Sequence, residues 1–245
     1  MKARTVVSLF GAVVGLPVAG LFVLVWSGLN APEANEGPEA STVPEASEAD
    51  SAAEKPSRAS QAINARRLDA GGCSRCNLSH TDLSQLDLSR ADLSQANLSY
   101  ANLDQTFLIN AVLSGTRLHQ TSLMRANLRG ADLVDADVEA TTLDDAQLLQ
   151  VSLTDARIVD TSFKQADLRD ADLSFVHIEG SDFSNATLYG AVLREAKLSN
   201  VNFSGADLQY ADFSDAELEN VNFENAKLNF AIMPNGTGYH GVAPY

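Results

Sequence analysis

From Leu78 to Leu228 every fifth residue is Leu, Phe, Ile or Val, with no insertion. The run opens Cys76-Asn77-Leu78-Ser79-His80, Thr81-Asp82-Leu83-Ser84-Gln85 and continues in that register. No α-helix accommodates it, because a five-residue step drifts around a 3.6-residue turn and leaves no constant apolar face. An extended chain does. The residue two before each centre is Ala in 18 of the 31 repeats, Thr in six and Val in four, with Cys76, Leu86 and Ser181 once each. Residues two apart in an extended segment point to one side, so both positions face an interior. The residue between them, often Asp or Asn, faces outward. The next two are rich in Ser, Gln, Asn, Asp and Gly, which are corner formers. Three extended residues and a two-residue corner make one side of a coil.

The number of sides follows from longer periods. Phe163, Phe183, Phe203 and Phe223 all occupy the centre and lie 20 residues apart, extending the column Leu83, Leu103, Leu123, Leu143. A four-sided coil stacks them; a three-sided coil would favour a period of 15, which is absent. The outward column Arg117, Asp137, Arg157, His177, Lys197, Glu217 shares the 20-residue spacing and sets opposite charges on successive coils, about 4.8 Å apart. Thirty-one repeats at four per turn predict nearly eight coils.

Ala91-Asp92-Leu93, Ala126-Asn127-Leu128, Ala131-Asp132-Leu133 and Ala206-Asp207-Leu208 carry a resemblance to the pentapeptide-repeat family. It covers about 155 residues and implies an all-β fold, a right-handed quadrilateral β-helix. The start Cys73-Ser74-Arg75-Cys76-Asn77-Leu78-Ser79 and the end Ile232-Met233-Pro234-Asn235-Gly236 are similar to those of cyanobacterial members. Phe107, Val112, Arg117, Arg157, His177 and Val192 depart from the Asp/Asn pattern, which alters the surface and not the fold.

The flanks divide the chain into expected regions: 1–30, 31–56, 57–75, 76–232 and 233–245. Residues 6–29 carry no charge and would span roughly 36 Å as a helix, enough for a bilayer of about 30 Å. An uncleaved single-pass anchor and a cleaved signal peptide both fit. Lys2 and Arg4 precede the run, which keeps the N-terminus cytoplasmic and places the repeats outside, in a periplasm or thylakoid lumen, or secreted after cleavage. Residues 31–60 hold seven acids, two bases and little apolar surface, the composition of a disordered acidic spacer. Ser57 or Ser60, Ala59, Ala62, Ile63, Ala65 and Leu68, ended by Gly71-Gly72, predict a short helix that caps the first coil. Pro234, Met233, Tyr239 and Tyr245 leave the register; they cap the last coil, or that end forms a homodimer.

Composition excludes more than it assigns. A formal charge of −15 argues against a direct nucleic-acid partner. The two cysteines, Cys73 and Cys76, both point into the first coil, as two small buried thiols or as one local disulfide; zinc would need more ligands than the nearby His80. No Ser/His/Asp set, phosphate loop or carboxylate cleft is recognisable, so no catalytic, cofactor or metal residue is expected, and the repeat Asp reads as architecture that bonds corner amides. One side carries Asp92, Asp132, Asp135, Asp155, Asp172, Glu195, Asp212 and Asp215, with Arg194 its only base. Another presents Phe107, Ile109, Leu149, Tyr189, Tyr210 and Phe230 at outward or corner positions, a partner face if they are contiguous. The chain is therefore read as a non-enzymatic, tethered or exported scaffold for a protein partner. Some members of the family resemble duplex DNA and act on a type II topoisomerase; this repeat region, with 24 acids and 10 bases over residues 77–245, is acidic enough for that alternative.

Overall fold

The computed structural model describes Leu68 and residues 72–239. The chain divides into two units, Met1–Ala49 and Asp50–Tyr245, and every described residue lies in the second.

Its described residues from 72 onward form a four-sided β-helix. Parallel pairing joins each outward residue to the one 20 positions on. One ladder runs Gly72, Asp92, Val112, Asp132, Ser152, Asp172, Val192, Asp212, Ile232; others start at Asn77, Asp82 and Asp87. Regular strand is confined to one side, where β1 (Asp137–Glu139), β2 (Arg157–Val159), β3 (His177–Glu179), β4 (Lys197–Ser199) and β5 (Glu217–Glu219) form a parallel sheet in the order β1-β2-β3-β4-β5. This strand-forming part spans four turns, and the bridge ladder from Gly72 to Ile232 takes eight 20-residue steps. Elsewhere the same register continues as single-residue bridges.

The corners explain the difference. At most of them the fifth residue of the repeat is left-handed, from Arg75 (φ 58°) to Phe230 (φ 64°). The amide after it closes a β-turn onto the central carbonyl, as Ala91 N–H to Leu88 O at 3.0 Å. On the strand side the turn bond is absent from Thr121 onward, and the residue after the centre joins the strand instead. Inward hydroxyls take over there: Thr121 donates to Leu98 O at 2.9 Å, Thr161 to Val159 O at 2.9 Å and Ser181 to Glu179 O at 3.0 Å. The Thr residues of the inward column are thus satisfied core polars. Gly205 (φ 68°) marks a close approach, since a Cβ there would stand 2.6 Å from Asn185 Oδ1.

The interior is filled by the two inward positions. Leu78 to Phe213 at the centre and the Ala column are almost fully buried. Phe163 and Phe183 stack at 4.4 Å, Phe183 and Phe203 approach at 5.1 Å, and Phe203 and Phe223 at 5.6 Å, which is the column expected from the 20-residue period. Each buried Leu or Phe contributes about 1.5–3 kcal/mol of transfer free energy, opposed by the ordering of its chain.

Outward Asp and Asn side chains hold the corners. Asp92 Oδ1 accepts from the Ser94 amide at 3.0 Å and its hydroxyl at 2.7 Å; Asp82 and Ser84 repeat the motif. Where Ser replaces Asp at 122 and 162, an acid on the coil before does the work. Asp104 accepts from Ser122 and the Met124 amide, Asp144 from Ser162 and the Lys164 amide.

Both ends differ from expectation or escape it. Among the described residues only Leu68 is helical. The capping helix expected over 57–70 lies outside the described residues except for Leu68, which packs partly buried against the core. The apolar run at 6–29 also lies outside them; among the described residues no helix is long and apolar enough to cross a membrane. At the C-terminal end residues 233–239 turn back, with Ile232 bridged antiparallel to Gly238 and the Tyr239 amide on Ala231 O at 2.8 Å. Leu218, Val221, Phe223 and Ala226 remain only partly buried there.

Candidate functional site

The six apolar residues expected to form one face separate into three places. Tyr189 and Tyr210 meet at 5.1 Å between ring centroids, and Tyr210 stacks on Phe230 at 4.9 Å. All three are exposed, Phe230 at 67%. Tyr210 and Phe230 sit at left-handed corners, φ 61° and 64°. A bulky aromatic residue at positive φ carries backbone strain, and its exposed ring gains little from burial, so this ladder is costly to folding.

The other three stand apart from it. Ile109 and Leu149 are half-buried in a column whose backbone bonds run through Arg129 and Arg169 before reaching Tyr189, so two arginines interrupt the apolar stripe. Arg169 is itself held by Asp167 at 2.6 Å, and that hydrogen bond keeps the Asp167 carboxyl low. Phe107, 47% exposed, lies in a separate groove with Gln85, Gln105, Arg125, Asn127 and Gln147.

The acidic side is real but interleaved. Along its outward ladder Asp92, Asp132, Asp172 and Asp212 alternate with Val112, Ser152 and Val192, so the carboxylates fall on every second coil, about 9.6 Å apart. This spacing weakens their mutual repulsion. Asp212 is buried and pairs with Arg194 at 2.7 Å. Burial pushes its carboxyl up, but the Ser214 hydroxyl and amide and the Arg194 guanidinium outweigh that and hold it below the usual carboxylate range.

On the strand side, His119 Nε2 lies 2.7 Å from Asp137 Oδ2, with Glu139 beside them. Arg157 Nη1 reaches Asp137 at 3.1 Å and Glu139 at 3.3 Å. The guanidinium supplies the positive charge the two carboxylates require, so the trio forms an ion-pair network rather than an open ligand set. Sequence reasoning found the Asp137–Arg157 pairing but missed His119, whose corner position carries no periodic signal. Cys73 and Cys76, buried in the first coil, are joined in a disulfide with Cα atoms 5.3 Å apart.

The repeat pattern matches a known family along its length. Pentapeptide repeats, described in eight-copy units, match residues 73–108, 91–130 and 131–170, and a pentapeptide repeat region matches 156–231. HetL, a pentapeptide repeat protein involved in heterocyst differentiation regulation in the cyanobacterium Nostoc sp. strain PCC 7120, is 30% identical over 71% of this chain and 97% of its own, with a TM-score of 0.33. The chain belongs to the pentapeptide repeat family. A pentapeptide repeat protein from the Arabidopsis thaliana thylakoid lumen is 29% identical over 40% of this chain and 68% of its own, at a TM-score of 0.39. QnrB1, a plasmid-mediated fluoroquinolone resistance protein, is 22% identical over 61% of this chain and 83% of its own, at 0.45. No curated protein sequence matches. Within a pentapeptide repeat protein, Asp and Asn at the outward position are corner architecture. Among exposed rings, Phe107 replaces an outward polar residue and Tyr100, Phe175, Tyr189, Tyr210 and Phe230 stand at or beside corners.

Proposed function

We propose that this pentapeptide repeat protein is a non-enzymatic scaffold that binds a protein partner through its C-terminal coils. It is held at a membrane by residues 6–29, or exported after their removal, with the repeats outside the cytoplasm. One observation carries the reading: the exposed, mutually stacked Tyr189–Tyr210–Phe230 ladder. Tyr and aromatic rings are enriched where interfaces concentrate their binding energy. Residues 31–56 then serve as a spacer between membrane and rod.

A crosslinking pull-down from native membranes tests it. Wild-type protein retains a specific partner, and Tyr189→Ser with Tyr210→Ser loses it without a change in thermal unfolding. An unchanged profile overturns the assignment. A second copy of the chain on the same surface is the other outcome, read as a doubled native mass that the double variant abolishes.

The acidity favours a second reading, a DNA-like rod acting on a type II topoisomerase. A net charge of −14 over residues 77–245, spread along about 38 Å, is about two-thirds of the linear charge density of duplex DNA. That reading requires the rod in the cytoplasm. In fractionated membranes, protease on the non-cytoplasmic side removes a C-terminal tag on the leading proposal and protease on the cytoplasmic side removes it on this one, after which a supercoiling assay decides.

A further inference from the structure

Phe107 stands where most repeats carry a polar residue, and its surroundings differ from those of the C-terminal ladder. The groove beside it has a volume of about 550 Å³. Corner residues Gln85, Gln105 and Arg125 form one wall. Phe107, Asn127 and Gln147, successive rungs of one ladder, form the other. The size falls within the range of small-molecule clefts.

The lining is chemically unlike the rest of the rod. It contains no carboxylate on a domain dominated by them. The backbone amides of Phe107, Asn127 and Gln147 are already bonded to Leu86, Thr106 and Ala126 carbonyls at 2.9 Å each. Their side chains are therefore what the groove offers. Among the described residues, none bonds the carboxamides of Gln85, Gln105 or Gln147. Each carboxamide supplies two donors and an acceptor, which suits hydroxyl groups, since these both donate and accept. Arg125 adds donors; its one acid, Asp145, sits at 3.6 Å and the arginine side chain is 66% exposed. The exposed Phe107 ring offers a flat apolar face with a negative quadrupole, which accepts the C–H groups of a saturated ring.

We propose that this groove binds an uncharged oligosaccharide, laid along the rod. A pyranose ring stacks on Phe107 and neighbouring sugar hydroxyls bond Gln85, Gln105, Asn127 and Gln147. The carboxamides recur on successive coils at about 4.8 Å, a repetition that fits a linear chain of like units rather than a compact ligand. The surrounding negative charge repels an anionic polymer, and the groove lacks the carboxylates that a cation would need. This site is separate from the Tyr189–Tyr210–Phe230 ladder, so the two stand or fall independently.

The test uses the full-length protein in a non-glycosidic detergent, with cellotetraose, chitotetraose and maltotetraose as probes, read by saturation-transfer NMR and calorimetry. At least one binds, with a dissociation constant of about 0.1–1 mM, as expected for a shallow, water-exposed groove. Phe107→Ala and, separately, Gln105→Ala each weaken that binding by about tenfold, the loss expected when one stacking or hydrogen-bonding partner is removed. Phe107→Trp retains it, and Tyr210→Ser leaves it unchanged. Circular dichroism on each variant matches the wild type. The proposal is overturned if none of the three sugars binds at about 10 mM, a concentration that fills most sites of 1 mM affinity. It is equally overturned if Phe107→Ala binds like the wild type, or if a protein rather than a sugar is what Phe107→Ala releases.

Discussion

Among the described residues, two runs of three or more aromatic rings follow the rod, and they differ in what surrounds them. Phe163, Phe183, Phe203 and Phe223 stack inside the coils; Tyr189, Tyr210 and Phe230 stack outside them. Their ring separations overlap, 4.4–5.6 Å inside and 4.9–5.1 Å outside. What differs is the other face of each ring. Inside it meets Leu, Ala and more Phe, so stacking adds to burial. Outside it meets water, so stacking adds little and the corner strain at positions 210 and 230 is not offset. Similar ring spacing therefore builds the core in one place and an exposed surface in the other.

The largest test of that contrast is Phe183→Ala. It leaves a cavity between two stacked neighbours, and urea unfolding should lose about 3–5 kcal/mol. A loss as small as that of a surface residue would mean the inner column is not what holds the coils. Next comes the first coil, where the Cys73–Cys76 disulfide closes the chain. Cys76→Ser should cost about 2 kcal/mol at most, because the bridge spans only three positions. The wild type with reductant should shift likewise. Mass spectrometry of the untreated protein checks the bond itself.

A smaller effect separates paired from unpaired acids. The folded Asp212 carboxyl lies below its ordinary value of about 4. Its contribution is therefore complete above that value and is lost as pH falls through the folded one. Arg194→Gln should narrow the gap between urea midpoints at pH 7 and pH 3, by less than about 1 kcal/mol given the exposure of the guanidinium. The smallest effect belongs to the outer stack. Tyr210→Ser should change stability by no more than about 0.5 kcal/mol, while partner retention falls about tenfold.

Much of this was legible before the coordinates. The alternation of two inward positions names the core, and the Phe period of 20 names the four sides, because interior packing is periodic when each side has the same length. The exterior obeys no such rule. Tyr189 and Tyr210 are 21 residues apart, on neighbouring columns, and only the left-handed corner brings their rings together. Arg129 and Arg169 split the expected stripe, which is visible in sequence only once the column order is known. The Asp104 and Asp144 substitutions are equally hidden, since the acid that replaces a lost repeat Asp lies on a different coil. His119 reached Asp137 across one coil with no pattern to announce it. The regular strands formed only on one side, where the turn bond is missing, and the outward pattern does not announce it.

The most direct test of the central claim is a photo-crosslinking comparison in native membranes. A photoreactive phenylalanine analogue replaces Tyr210 in one sample and Asp155, on the acidic side, in another. The outer aromatic ladder as the partner surface predicts a discrete crosslinked species from position 210 and none from position 155. A species from position 155 alone would contradict it and move the function to the acidic side of the rod.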